Sequence, residues 1–129
     1  MIDIDDFKQY NDQFGHLEGD RILKDIGVKI KASIRETDFG ARYGGEEFVI
    51  VLPGTDQGVA LKVSERIKEA VRDCVPGNRG HETTNGLTVS IGIATFPSDG
   101  DSPKALIEAA DRALYSAKGK GKDRICVGN

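Results

Sequence analysis

Hydrophobic and polar positions follow two periods along this chain, and the switches between them mark its elements. Residues 1–4 read as the tail of a strand, and residues 5–14 look like a short helical turn stopped by Gly15. From residue 17 to about residue 34, Leu23, Ile26, Ile30 and Ile34 recur at helical spacing, which predicts an amphipathic helix. Residues 38–43 and 47–52 form two strands of a hairpin, closed by Pro53-Gly54. Thr55 or Asp56 can cap the next helix, whose core face is Ala60, Val63, Ile67, Ala70 or Val71, and Cys74. Residues 76–86 are polar and rich in Gly and Asn, which predicts an exposed loop. Residues 87–96 alternate as a strand with β-branched content. Ser102-Pro103 opens a last helix with Leu106, Ala109, Ala110, Ala113, Leu114 and Ala117 facing inward. Gly119 and Gly121 end it, and residues 124–127 read as a closing strand.

The order β-α-β-β-α-β-α-β predicts an α+β fold: an antiparallel sheet flanked by helices, in the ferredoxin-like or polymerase-palm arrangement. With 129 residues and 38% apolar content the chain fits one domain with one core. A net charge of −3 argues against a long nucleic acid as partner, since such binders are usually basic. A small phosphorylated ligand fits, because a few local lysines or a metal offset its charge. Cys74 and Cys126 match neither a zinc spacing nor a disulfide scaffold, so reduced, buried thiols in a cytoplasmic setting are expected. No apolar run approaches the roughly 20 residues that cross a bilayer, and no signal peptide is evident.

The chemistry gathers at two acidic clusters. In the run from Arg42 to Leu52, Gly44-Gly45 reads as a tight turn whose central residues take positive φ. That turn sets Glu46 and Glu47 at the head of a strand, where neighbouring side chains point to opposite faces and take different jobs. Asp3-Ile4-Asp5-Asp6 also lies at a strand-to-turn junction. If the two strands are sheet neighbours, Asp3 converges with Glu46 or Glu47, the hard oxygen donors that Mg²⁺ prefers beside phosphates. Two such ions serve an in-line phosphoryl displacement. Lys8 follows the first cluster at a helix start, and Lys118, Lys120 and Lys122 alternate with Gly119 and Gly121 at a helix end. Both suit phosphate oxygens, although glycines and lysines also close helices on their own account. Asn11 and Asp20 are by position only a helix-end residue and an acid in a first helical turn; the two types together can pair with a guanine edge, and such a pocket rejects adenine.

These motifs together resemble the GGDEF family of diguanylate cyclases over nearly the whole chain. The resemblance rests on Asp3 to Lys8, Asn11-Asp12, Gly15-His16 with Gly19-Asp20, and Gly44 to Phe48, and further on Val89 to Ala94 and Ala110 to Lys118. It implies condensation of two GTP into cyclic di-GMP with release of two pyrophosphates. Asp3, the Ile4 carbonyl and Glu46 would hold Mg²⁺ (two ions per half-site, with Mn²⁺ a substitute), and Glu47 would be a further ligand or the base for the ribose 3′-hydroxyl. Asn11 and Asp20 would read guanine. Lys8, Lys118 and Lys122 would contact the triphosphate, with Phe7 and Gly45 at the substrate pocket. Attack across facing subunits would need a two-fold homodimer. Arg35 and Asp38, in an R-x-x-D pattern, would form an inhibitory site for product.

The resemblance also implies a departure. Family members carry a further helix and segment before the first strand, so residues 1–129 would be a single catalytic domain trimmed at its N-terminus, with one sheet face uncovered. A sensory or receiver domain would accompany it in the full-length protein, cytoplasmic or membrane-anchored, with no insertion by this domain itself. Two alternatives stand beside the cyclase: a non-catalytic receptor for GTP or cyclic di-GMP, and a class III nucleotidyl cyclase. Retention of Asp3, Glu46 and Glu47 favours catalysis over the first, and Asn11 with Asp20 argues against the second.

Overall fold

Alternation over the first residues sorts them onto two faces of a sheet. In the computed structural model, which describes residues 1–74 and 87–128, Ile2 and Ile4 are buried in the main core while Asp3 stays part-exposed. The expected loop over residues 76–86 lies outside the described residues. The elements run β1 (Ile2–Ile4), α1 (Phe7–Phe14), α2 (His16–Ser33), β2 (Phe39–Arg42), β3 (Glu47–Val51), α3 (Gln57–Arg72), β4 (Val89–Ile93), α4 (Pro103–Gly119) and β5 (Ile125–Val127). The five strands lie in the order β2-β3-β1-β4-β5. β1 is therefore central, antiparallel to β3 on one side and to β4 on the other. This is the ferredoxin-like, split β-α-β arrangement, with the β2–β3 hairpin at one edge.

Two local expectations are corrected. The sheet is not wholly antiparallel, because β5 pairs with β4 in parallel. Adjacent parallel strands need a long crossover, and α4 supplies it. Residues 5–14 are more than a turn: α1 is a helix of eight residues. Phe7 and Tyr10 are buried in the core, and packing of this kind, more than propensity, stabilises so short a helix.

Helix ends follow the sequence closely. Asp56 caps α3, its Oδ1 accepting from the Val59 N–H at 2.8 Å, while the Thr55 hydroxyl is engaged elsewhere. Ser102 caps α4 by accepting from the Ala105 N–H at 3.1 Å, with Pro103 in the first turn. Val71 rather than Ala70 is the buried position of α3, beside Ile67 and Cys74. Cys74 and Cys126 are both free thiols, the second only half-buried. Among the described residues no helix is long and apolar enough to cross a membrane.

The two sheet faces are covered differently. Ile2, Ile4, Phe48, Val89 and Ile91 join Ile22, Ile26 and Ile30 of α2 and Ile67 and Val71 of α3 in one cluster. On the other face Met1 packs with Ala110 and Leu114 of α4. A Cβ at Gly92 would stand 2.1 Å from the Ala110 carbonyl oxygen and 2.3 Å from the Leu114 nitrogen, so the α4 backbone lies directly on β4. Val49 packs with the Met1 cluster, and strand alternation puts Val51 and its partner Phe39 on that same face. There they remain 52% and 67% exposed.

Candidate functional site at the end of the central strand

The short β1 ends among acids, and the segment after α4 returns to the same place. Asp3 lies opposite Glu47 of β3 and opposite Ser90 of β4. Directly opposed residues share a face, so the Asp3 and Glu47 side chains are neighbours. Glu46 is tied to the same point, its carbonyl accepting from the Ile4 N–H at 3.2 Å. Burial pushes the Glu46 carboxyl above its ordinary range; the negative charge of Asp3 adds to that, Lys118 opposes it, and Glu47 adds again. Asp3, Glu46 and Glu47 thus form one electrostatic group, although Glu46 lies in the turn and Glu47 on the strand.

Lys118, in the last turn of α4, enters this group. Its Nζ is 2.7 Å from Asp3 Oδ1, 2.7 Å from Asp5 Oδ1 and 3.5 Å from the Ile4 carbonyl oxygen. Asp5 is buried and saturated with donors: the Thr88 and Ser90 hydroxyls at 2.7 Å each and the Asp123 N–H at 3.0 Å. Burial alone pushes its carboxyl up, but Lys118 and these three donors together hold it below the usual range. Lys122 forms an ion pair with Asp6. Asp6, Lys122 and Asp123 take φ of 55°, 64° and 48°, a left-handed conformation that costs on the order of 1 kcal/mol per non-glycine residue. The ion pair and the Asp5 bond hold both loops in it.

Among the described residues no group of three or more His, Cys, Asp or Glu side chains stands ready-made for a metal ion. The donor set nevertheless suits a hard cation. Asp3 and the Ile4 carbonyl already face one positive charge, the Lys118 ammonium, from two directions.

The Gly44-Gly45 turn departs from expectation. Neither glycine has positive φ. The turn spans four residues, 43–46, and Arg42 holds it from below: its Nε donates to the Gly44 and Gly45 carbonyls at 3.1 and 3.0 Å, and a second nitrogen donates to Gly45 at 2.6 Å. The Tyr43 and Gly44 N–H groups both donate to the Glu47 carbonyl, at 2.8 and 3.3 Å. An arginine clamp thus replaces the positive-φ glycines. Sequence reasoning missed Arg42 and also Asp5, although alternation from Asp3 puts Asp5 on the α4 face.

The remaining candidates are spread around this centre. Asn11 is half-buried on α1, with its Oδ1 buried and unpartnered against Gly19. Asp20, the next residue on α2, is exposed and lines a groove of about 830 Å³ with Leu23, Arg35, Phe39 and Phe48. Lys8 is exposed in the first turn of α1, and Gly45 is exposed in the hairpin turn. Phe7, expected beside the pocket, is a core residue stacked on Tyr10 at 6.2 Å. Arg35 and Asp38 are closed on each other: the guanidinium reaches Asp38 Oδ1 at 2.9 Å and donates to the Pro53 carbonyl and Thr55 hydroxyl at 3.0 Å each. The Arg35 bond holds the Asp38 carboxyl below its ordinary range.

Fold and site define an α+β domain of the palm-like kind with an acidic group at the end of its central strand. The family model for the diguanylate cyclase GGDEF domain matches residues 1–124, and the chain belongs to that family. Diguanylate cyclase A of Treponema denticola is 41% identical over 98% of this chain, which spans 34% of that protein. Among solved structures, the GGDEF domain of DgcB from Caulobacter crescentus, in complex with c-di-GMP, is 35% identical with a TM-score of 0.88. It matches 98% of this chain and 74% of its own. The active GGEEF domain of a diguanylate cyclase from Vibrio cholerae is 32% identical, also at 0.88, over 99% of this chain and 80% of its own. The chain thus spans about a third of the length of such curated relatives.

Proposed function

We propose that this chain is a diguanylate cyclase domain that joins two GTP molecules into cyclic di-GMP and releases two pyrophosphates. The observation that carries the reading is the Asp3 carboxylate and the Ile4 carbonyl meeting one cation, the Lys118 ammonium, with Glu46 and Glu47 in electrostatic reach of Asp3. Asp3, the Ile4 carbonyl and Glu46 hold Mg²⁺ or Mn²⁺, and Glu47 is a further ligand or the base that takes the 3′-hydroxyl proton. When bound, the metal supplies positive charge to the reacting phosphate and acidifies the attacking hydroxyl. Lys8, Lys118 and Lys122 bind the triphosphate oxygens. Asn11 and Asp20 orient guanine, and the unpartnered Asn11 Oδ1 supports that role.

Each 3′-hydroxyl attacks the α-phosphate held by a facing copy, so two chains form a two-fold pair around the symmetric product. Arg35 and Asp38 bind product and restrain the enzyme, once Arg35 leaves Asp38 for the ligand. Further domains of the longer protein set the geometry of the pair, and the reaction takes place in the cytoplasm, where GTP is found.

The test is incubation of the purified chain with GTP and Mg²⁺, with nucleotides separated by chromatography. Cyclic di-GMP appears with the native chain and is lost in Glu46→Ala. GTP or cyclic di-GMP binding without turnover, in a chain that dimerises, overturns the catalytic reading in favour of a receptor.

A further inference from the structure

Lys118 divides its ammonium between two carboxylates of unequal standing. Asp5 is buried and keeps the Thr88, Ser90 and Asp123 donors whatever Lys118 does. Asp3 is part-exposed, and it belongs with the Ile4 carbonyl to the set assigned to the metal. The lysine charge therefore lies against Asp3 and Ile4, at 2.7 and 3.5 Å, while its own anchor is Asp5 at 2.7 Å. A divalent ion bonded to those oxygens at about 2.1 Å and an ammonium hydrogen-bonded to them would occupy overlapping space and repel.

We propose that Lys118 is a resident cation: in the nucleotide-free chain it holds the metal position on Asp3 and the Ile4 carbonyl, and it yields that position when a triphosphate offers it another anionic partner. The proposal rests on the reading of Asp3, Ile4 and Glu46 as metal ligands. It gives Lys118 a second role beside phosphate contact. Three neighbouring carboxylates, Asp3, Glu46 and Glu47, need a counter-charge when no metal is present, and a lysine can supply one without leaving the site. Its flexible four-carbon stem lets the ammonium swing while Asp5 keeps it close. Metal and triphosphate then bind cooperatively, because each removes what obstructs the other.

The experiment is Mn²⁺ binding to the nucleotide-free chain, followed by electron paramagnetic resonance, for the native protein, Lys118→Met, and Lys118→Met combined with Glu46→Gln. Removing an opposing charge at this range strengthens Mn²⁺ binding about tenfold or more. Equal or weaker binding in folded Lys118→Met overturns the proposal. If Lys118→Met tightens binding and Glu46→Gln does not weaken it, the metal-ligand reading itself fails. Should Lys118→Met not fold, the native chain still decides. The Lys118 ammonium signal in a ¹H–¹⁵N spectrum, assigned through its bond to Asp5 with Asp5→Asn, shifts when Mg²⁺ and tripolyphosphate are added together and stays with Mg²⁺ alone. A signal unmoved by both overturns the proposal.

Discussion

A methyl group at Gly19 would stand 1.7 Å from Asn11 Oδ1, so the amide of Asn11 lies directly on the backbone of α2. The obstructing atom is the end of a side chain, which rotates. Gly19→Ala in a helix gains about 1 kcal/mol of intrinsic propensity, which offsets much of the cost of turning Asn11 aside. The expected outcome is a melting temperature near that of the native chain, with GTP binding weakened about tenfold, since a displaced amide loses its hydrogen bond to the base. Isothermal titration with a non-hydrolysable GTP analogue checks it. Unchanged affinity removes Asn11 from the guanine reading.

Gly92 presents the opposite case. There the obstructing atoms are the Ala110 carbonyl and the Leu114 nitrogen, backbone of α4 that cannot rotate away. Gly92→Ala pushes the helix off the sheet at a cost of about 3 kcal/mol, measurable by urea denaturation. Because α4 carries Lys118, activity falls further than the loss of folded protein accounts for.

Asp5 is one source of acid sensitivity, beside Asp38. Its carboxyl is held below the ordinary 3.8 in the folded chain, despite burial, by Lys118 and the Thr88, Ser90 and Asp123 donors. A depressed folded value contributes stability that is complete above the unfolded pKa and lost as pH falls through the folded one. Native stability therefore declines below about pH 4. Asp5→Asn lowers stability at pH 7 by roughly 3 kcal/mol and flattens the acid decline. Urea titrations from pH 7 to pH 3 read both effects, and an unaltered acid slope removes Asp5 as its source.

Arg35 supports the fold and, on the proposed reading, binds product. It bridges Asp38, the Pro53 carbonyl and Thr55 across 20 residues of chain. Arg35→Ala weakens cyclic di-GMP binding at least about tenfold through loss of a bidentate charged contact. Arg35→Lys keeps the charge without the fork and recovers only part of it. Equal cyclic di-GMP affinity in all three proteins rules out product binding at this position.

Period and punctuation made most of the fold legible. The run of Leu23, Ile26 and Ile30 marked α2, and Ser102-Pro103 marked the start of α4; the pattern brought Asp3 toward Glu46 or Glu47, and the register opposite Glu47 came only from the folded sheet. What escaped depended on packing and on side-chain contacts that local propensity does not report. α1 was undercounted because its burial comes from packing rather than length. The Arg42 clamp took over a task that local turn rules assign to glycine φ, and nothing near Cys126 announces that β5 runs parallel to β4. Asp3, Glu46 and Glu47 were singled out by their strand-end positions, and the sheet brings them near one another. The choice of Lys118 to lie between Asp3 and Asp5 rather than in solvent is set by how far α4 slides along β4, and Gly92 governs that distance.

Asp5 and Asp6, just after β1, and the lysines that answer them, Lys118 and Lys122, lie 113 and 116 residues apart in sequence. A ribosome that has completed α3 has already released every carboxylate of the group and neither of its cations. Until α4 and its following loop emerge, the acidic end of β1 lacks the two ammonium groups that pair with Asp3, Asp5 and Asp6 in the folded domain. The site is therefore complete only once Lys118 and Lys122 have joined the acids that precede them in the chain.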